Sequence, residues 1–172
     1  MRKKKLVVAL GGVFLCLVIW FWVTRSSGEP KIDEHRYYKV AYVVDGDTFA
    51  ANIDGRVITV RMLGINTPET VDPRKPVECY GPEASNETKA LLNGHLVRFA
   101  INPNRELKDR YGRYLLYVYR DDGLFVNEDL IKKGFAREYT YGKPYSMQAE
   151  FRSVEMLAKK SVVGLWTKCQ IQ

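Results

Sequence analysis

Along Tyr38–Val44 and again along Thr48–Ile53 the chain is mostly apolar and rich in residues that favour strands, such as Tyr38, Val40, Tyr42, Val43, Thr48, Phe49 and Ile53. This composition predicts two β-strands. Asp54-Gly55 then signals a tight hairpin into a third strand over Arg56–Ile65. The stretch Thr67–Gly81 holds Pro68, Pro73 and Pro76 and reads as a loop. Over Pro82–Asn93 the spacing turns helical, with Ala84, Thr88, Leu91 and Leu92 on one face, Glu83 in the first turn and Gly94 as a stop. Leu96–Ile101 and Arg113–Tyr119 return to strand, separated by a polar loop over Asn102–Tyr111, and Asp121-Asp122-Gly123 is a turn. Asn127 stands where it can cap a short helix ending at Gly134. Ser146–Lys160 predicts a longer amphipathic helix through Phe151, Val154, Met156, Leu157 and Ala158.

Strands and helices do not alternate one by one, which disfavours a doubly wound parallel sheet. Short strands with helices inserted and appended suit an α+β fold, a five-stranded OB-type barrel with about three helices. Roughly 135 residues are enough for such a domain to hold its own core.

One segment departs from these periods. Leu6–Val23 is an unbroken apolar run of 18 residues, without a polar face, that ends in Trp20, Phe21 and Trp22. Its length and aromatic end predict a transmembrane helix preceding the barrel. Leu15 before Cys16 argues against a lipoprotein, and no Ala-x-Ala follows the run; a leader cleaved near Ser26–Gly28 is the alternative. The expected organisation is a basic tip and signal-anchor over 1–25, a linker over 26–37 and a barrel domain over 38–168.

Charge supports that division. The net charge of +7 includes Arg2, Lys3, Lys4, Lys5 and Arg25, while every acid lies at or after Glu29; from Ser26 onward 22 basic residues face 20 acidic ones. Lysines before an apolar run stay cytoplasmic, so the barrel is expected outside the cell membrane, on a single-pass anchor with the membrane as partner. The small positive excess of the remainder argues for local phosphate recognition rather than a broad basic surface.

Several residues carry candidate chemistry. Asp45-Gly46-Asp47-Thr48 lies between strands; its composition suits any turn, and its two carboxylates also suit a hard cation. Arg61 interrupts the apolar strand VITVRMLGI, either as part of a solvated face or as a phosphate-binding guanidinium. Glu69 follows the rigid pair Thr67-Pro68 at a strand end, where an ordinary solvated glutamate is the bland alternative. Tyr111 can stack on a base and Arg113 can bind phosphate, or the two can belong to a simple charged turn. Tyr139 and Tyr141 with Lys143 form a second aromatic and basic cluster, of a kind that also covers core edges. Neither His35 nor His95 falls in a motif, so a zinc site is disfavoured.

Taken in order, VVDGDT, ITVRMLGINTPET, ECYGPEAS, DRYGRYLLYVY and LIKKGFA resemble the staphylococcal nuclease (thermonuclease) family, from about Tyr38 to Trp166. The resemblance implies an OB-fold barrel and a monomeric Ca²⁺-dependent phosphodiesterase, here a membrane-anchored homologue, acting on DNA, RNA or both. It implies calcium at Asp47, Asn66 and the backbone oxygen of Thr67, with Arg61 and Arg113 on the phosphate. Glu69 is then the general base, and Tyr111 lies near the bound nucleotide, with Tyr139 and Tyr141 added as substrate contacts. The family has a carboxylate where this chain has Asn66, so weaker calcium binding is expected. A non-catalytic OB module binding nucleic acid or another ligand is the competing reading; retention of Asp47, Arg61, Glu69 and Arg113 favours the enzyme. Finally, Cys79 and Cys169 form an even pair whose bonding would tie the C-terminus to the barrel.

Overall fold

The structure is a computed structural model that describes residues 29–169. The chain falls into two units, Met1–Lys31 and Ile32–Gln172, and the barrel with its helices belongs to the second. Five strands close that barrel: β1 (Tyr37–Val43), β2 (Thr48–Ile53), β3 (Arg56–Met62), β5 (Leu96–Ile101) and β6 (Tyr114–Arg120), in the order β1-β2-β3-β6-β5. Closure leaves no free sheet edge. The β3–β6 contact is parallel, with Arg61 beside Leu115; the other barrel contacts are antiparallel. The remaining strands, β4 (Ile65–Asn66) and β7 (Arg137–Glu138), make a separate two-stranded pair at the barrel's end. The expected third strand therefore stops at Met62, because Gly64 turns the chain with a positive φ of 81° before β4.

The inside–outside pattern of the barrel wall is plainest in β3. Ile58, Val60 and Met62 of β3 face inward and are buried with Phe49, Ile53, Val97, Phe99, Leu116 and Val118. Phe99 stacks between Tyr38 and Phe49, with ring centroids 5.5 and 6.3 Å away. Truncating such a ring to alanine costs about 3–5 kcal/mol.

Among the described residues there are four helices: α1 (Gly81–Leu92), α2 (Val126–Lys132), α3 (Gln148–Lys160) and α4 (Leu165–Lys168). In α1, Ala84, Thr88, Leu91 and Leu92 are buried, as their helical spacing requires. Phe125, not Asn127, occupies the N-cap of α2. Asn127 is instead fully buried inside the helix: Val118 N–H donates to its Oδ1 at 2.9 Å, and its Nδ2 donates to the Leu63 carbonyl at 2.9 Å. Two buried backbone groups, one within β6 and one just past β3, thereby find partners, which outweighs the cap the sequence suggested. Cys79 and Cys169 are bonded, with Cα atoms 5.9 Å apart across a sequence separation of 90.

The membrane expectations require correction. Among the described residues no helix is long and apolar enough to cross a membrane, and the run 6–23 lies outside the described residues. The fold is accordingly a five-stranded OB barrel with helices, without a transmembrane helix among the described residues. The membrane-anchored homologue, the membrane as partner and the single-pass extracytoplasmic location rest on that run and the lysines before it, and no helix among the described residues supports them.

Candidate active site

A cleft of about 720 Å³ opens at the end of the barrel where the β1–β2 turn, β4 and three loops converge. Asp47, Arg61, Asn66, Thr67, Glu69, Tyr111, Arg113, Tyr139 and Tyr141 all line it. The nine positions singled out in the sequence are thus gathered into one place, from segments up to 94 residues apart.

The floor is built around Asp47. The β1–β2 turn folds tightly, with Val44 N–H and Asp45 N–H both donating to the Thr48 carbonyl. Gly46 lies against Thr67; a Cβ on it would fall 2.6 Å from Thr67 Oγ1, so no side chain fits there. Thr88 of α1 donates its hydroxyl to the Gly46 carbonyl at 2.6 Å. The Asp47 carboxylate, itself buried, accepts from Thr48 Oγ1 at 3.0 Å and from Thr67 N–H at 2.9 Å. This last bond ties the turn to the loop that carries Glu69.

Arg61 points outward from β3 but is not solvated. Its Nη1 donates to the carbonyls of Met62 and Ile65 at 3.0 and 2.8 Å. Its Nη2 lies 2.8 Å from Asp47 Oδ2 and 3.0 Å from Asn66 Oδ1. One nitrogen therefore holds the Asp47 and Asn66 oxygens side by side. The ion pair is almost enclosed, with side-chain exposures of 12% and 7%, so removing either partner strands a buried charge.

Asp45, lightly weighted in the sequence, joins this group. Its Oδ1 accepts from Asp47 N–H at 3.1 Å. Burial, then the adjacent Asp47 charge, pushes its pKa up to about 6, against the opposing Asp47 N–H bond and the charge of Arg61. The signal for it was the Asp-Gly-Asp spacing itself.

Arg113 and Tyr111 form one lip. Asp109 holds Arg113 by Nε at 2.7 Å and by its backbone N–H at 3.0 Å, which leaves the terminal guanidinium nitrogens for the cleft. Tyr111 is 68% exposed, with the Arg110 and Arg113 guanidiniums 4.8 and 5.4 Å from its ring centroid. Tyr139 and Tyr141 also line the cleft, both exposed. Arg105 donates to the carbonyls of Tyr141 and Lys143 and so couples the loop before β6 to this wall. Nothing in the periodicity marks Arg105 or Asp109 for these duties.

Glu69 sits at the cleft's edge on an irregular loop. Its Oε1 accepts from the amides of Thr70, Val71 and Asp72 at 2.8, 2.8 and 3.1 Å. The Val71 bond above all, with those of Asp72 and Thr70, lowers its pKa despite partial burial. Glu69 is therefore ionised at neutral pH, with Oε2 outside this amide cluster.

Among the described residues no cluster of three or more His, Cys, Asp or Glu side chains is placed to hold a metal. The donor set at the floor is instead two carboxylates, Asp45 and Asp47, with the neutral oxygens of Asn66 and Thr67. Such a set fits a hard, oxygen-seeking cation of relaxed geometry, and lacks the nitrogen and sulfur ligands of a zinc site.

Comparison with known proteins shows the family of the chain. Residues 59–168 match the family described as "Staphylococcal nuclease homologue". The chain is 40% identical over 143 residues to the thermonuclease of Staphylococcus hyicus, covering 83% of this chain and 82% of that protein. It is 40% identical over 131 residues to the thermonuclease of Staphylococcus intermedius, covering 76% of each. It is also 38% identical over 126 residues to endonuclease YncB of Bacillus subtilis, covering 73% of this chain and 59% of that one.

Proposed function

From the premise that this chain belongs to the staphylococcal nuclease homologue family, we propose that it is a calcium-dependent nuclease. It hydrolyses phosphodiester bonds of DNA, RNA or both in the cleft at the barrel's end. The observation that carries this reading is the convergence there of two carboxylates, two guanidiniums and an ionised glutamate.

Asp47, Asn66 and the Thr67 carbonyl hold Ca²⁺, with Asp45 adding charge beside them. When bound, the ion supplies Lewis-acid polarisation of a phosphoryl oxygen. Arg113 presents its free Nη groups to the phosphate and meets negative charge as it builds in the phosphorane. Arg61 contributes its charge from the floor, where its contacts keep it from moving. Glu69 takes the proton of an attacking water at Oε2, and the oxygen of that water forms the new bond to phosphorus as the bond to the leaving oxygen breaks. The lowered basicity of Glu69 is a cost for this step; the fixed position of the carboxylate offsets it. Tyr111 stacks on a base, with Tyr139 and Tyr141 as further substrate contacts.

Incubation of the full chain with single-stranded DNA and with RNA, in calcium and then in excess chelator, tests this reading. Cleavage that stops in chelator and returns with added calcium is expected. Undiminished cleavage in chelator removes the calcium assignment, and binding without cleavage in any condition favours a ligand-binding module.

A further inference from the structure

Glu69 is carried by the most exposed segment of the cleft. Residues 73–79 are all exposed and belong to no strand or helix. The loop closes on itself at a narrow neck. Glu78 N–H donates to the Glu69 carbonyl at 2.9 Å, and Glu69 N–H donates to Glu78 Oε2 at 3.1 Å. Such bonds compete with water, so by themselves they make a weak latch.

The residue after the neck is Cys79, and its bond to Cys169 joins it to the segment just past α4. That segment is a firm anchor. Leu165 is fully buried, its N–H donates to the Gly134 carbonyl at 2.8 Å, and Trp166 lies under the charges of Arg137 and Lys159. On the other side of the neck Gly81 opens α1, and a Cβ there would come 2.6 Å from Thr70 Cγ2. The Tyr80 ring stacks on Phe135 at 5.4 Å. The neck is therefore held by packing on one side and by a covalent bond on the other.

We propose that the Cys79–Cys169 disulfide is a positioning element of the reaction: it fixes the neck of the Glu69 loop, and through it the Glu69 carboxylate. The proposal rests on the reading of Glu69 as the base. Proton transfer demands hydrogen-bond reach, and a displacement of about 1 Å can cost on the order of 100-fold in rate. The barrel's charged floor does not depend on this bond, because Asp47 and Arg61 are fixed by β3, β4 and α1. Cutting the disulfide should therefore separate proton transfer from calcium binding. The bond is open to reductant, since Cys79 is exposed and Cys169 half-buried. A dithiol breaks the S–S bond, delivers two electrons and two protons to give two thiols, and leaves as its own disulfide.

The test uses the full chain, with kcat and KM on single-stranded DNA and calcium affinity by calorimetry. It compares the oxidised protein, the dithiothreitol-reduced protein, the Cys79→Ala/Cys169→Ala variant, Glu78→Ala with the disulfide intact, and Glu69→Gln. Reduction and the double variant should each lower kcat about tenfold, with KM and calcium affinity within about twofold and the near-UV circular dichroism unchanged; reoxidation should restore the rate. Glu78→Ala should show the same split with the bond in place, and Glu78→Gln, which keeps an acceptor, should recover. In Glu69→Gln, reduction should change the residual rate no further. An unchanged kcat on reduction, while Glu69→Gln is severely impaired, overturns the proposal and spares the base assignment. Joint loss of kcat, calcium affinity and near-UV signal also overturns it, in favour of a general staple. Wild-type turnover in Glu69→Gln removes the base assignment and the proposal with it.

Discussion

The two sides of the cleft are held by opposite means. Around Asp47 and Arg61, nearly every polar atom is bonded to a strand, to α1 or to the start of the Thr67 loop, and the charges are almost enclosed. Around Glu69, the carboxylate is bonded to its own loop and the loop is exposed, closed by its neck and stapled by a disulfide. In the proposed function, the charge that holds the cation is built into the barrel, and the group that takes a proton from water is built on a loop held by its neck and a disulfide. The difference teaches that the floor couples function to stability, whereas the loop couples function to local geometry.

Asp47→Ala should break that comparison most severely, because it removes the acceptor of Thr67 N–H and Thr48 Oγ1 and strands Arg61. Loss of one partner from a buried pair costs about 3–5 kcal/mol. The shift in the urea midpoint at constant m measures it, and a change below about 1 kcal/mol would mean that the pair does not anchor the floor.

Arg113→Ala should divide the two effects. Its pair with Asp109 is one-third exposed on the arginine side, so the expected stability change is under about 1 kcal/mol. Turnover should nonetheless fall by roughly 10²–10³-fold, the usual loss for one oriented transition-state donor. Normal turnover in a folded variant would refute its place on the phosphate.

Asn66→Asp sharpens the comparison more gently. A carboxylate at position 66, added to those of Asp45 and Asp47, should tighten calcium by about tenfold, or ~1.4 kcal/mol. Turnover need not follow, since a tighter ground-state ion does not lower the barrier. Calorimetric titration of both forms measures this; equal affinity would remove Asn66 from the ligand set and leave Asp45 as the carboxylate to test.

The barrel was legible because its strands are rich in strand-favouring residues and bounded by turns such as Asp54-Gly55, and in β3 Ile58, Val60 and Met62 add an inward-facing alternation. The β4–β7 pair was not, since two residues cannot display a period. Nor was α4, a single turn whose place depends on Gly134 and a buried Leu165. Asn127 misled because its local sequence fits a cap while its tertiary task, joining Val118 to Leu63, is invisible locally. Around the cleft, the residue types were readable from the resemblance, but their partners were not. Arg61 read equally well as solvated or phosphate-facing, and the structure commits its terminal nitrogens to Asp47, Asn66 and two carbonyls. The apolar run 6–23 carried the membrane reading through its length, its aromatic end and the lysines before it; it lies outside the described residues, among which no helix supports a span.

The central claim is that Glu69 moves the proton while the barrel's floor holds the cation, and single-turnover cleavage by Glu69→Gln as a function of calcium tests it most directly. The account predicts a rate lowered by about 10²–10³-fold at saturating calcium, with the calcium midpoint within about twofold of the parent protein. A rate close to that of the parent protein, or a calcium midpoint displaced as far as the rate, would contradict it.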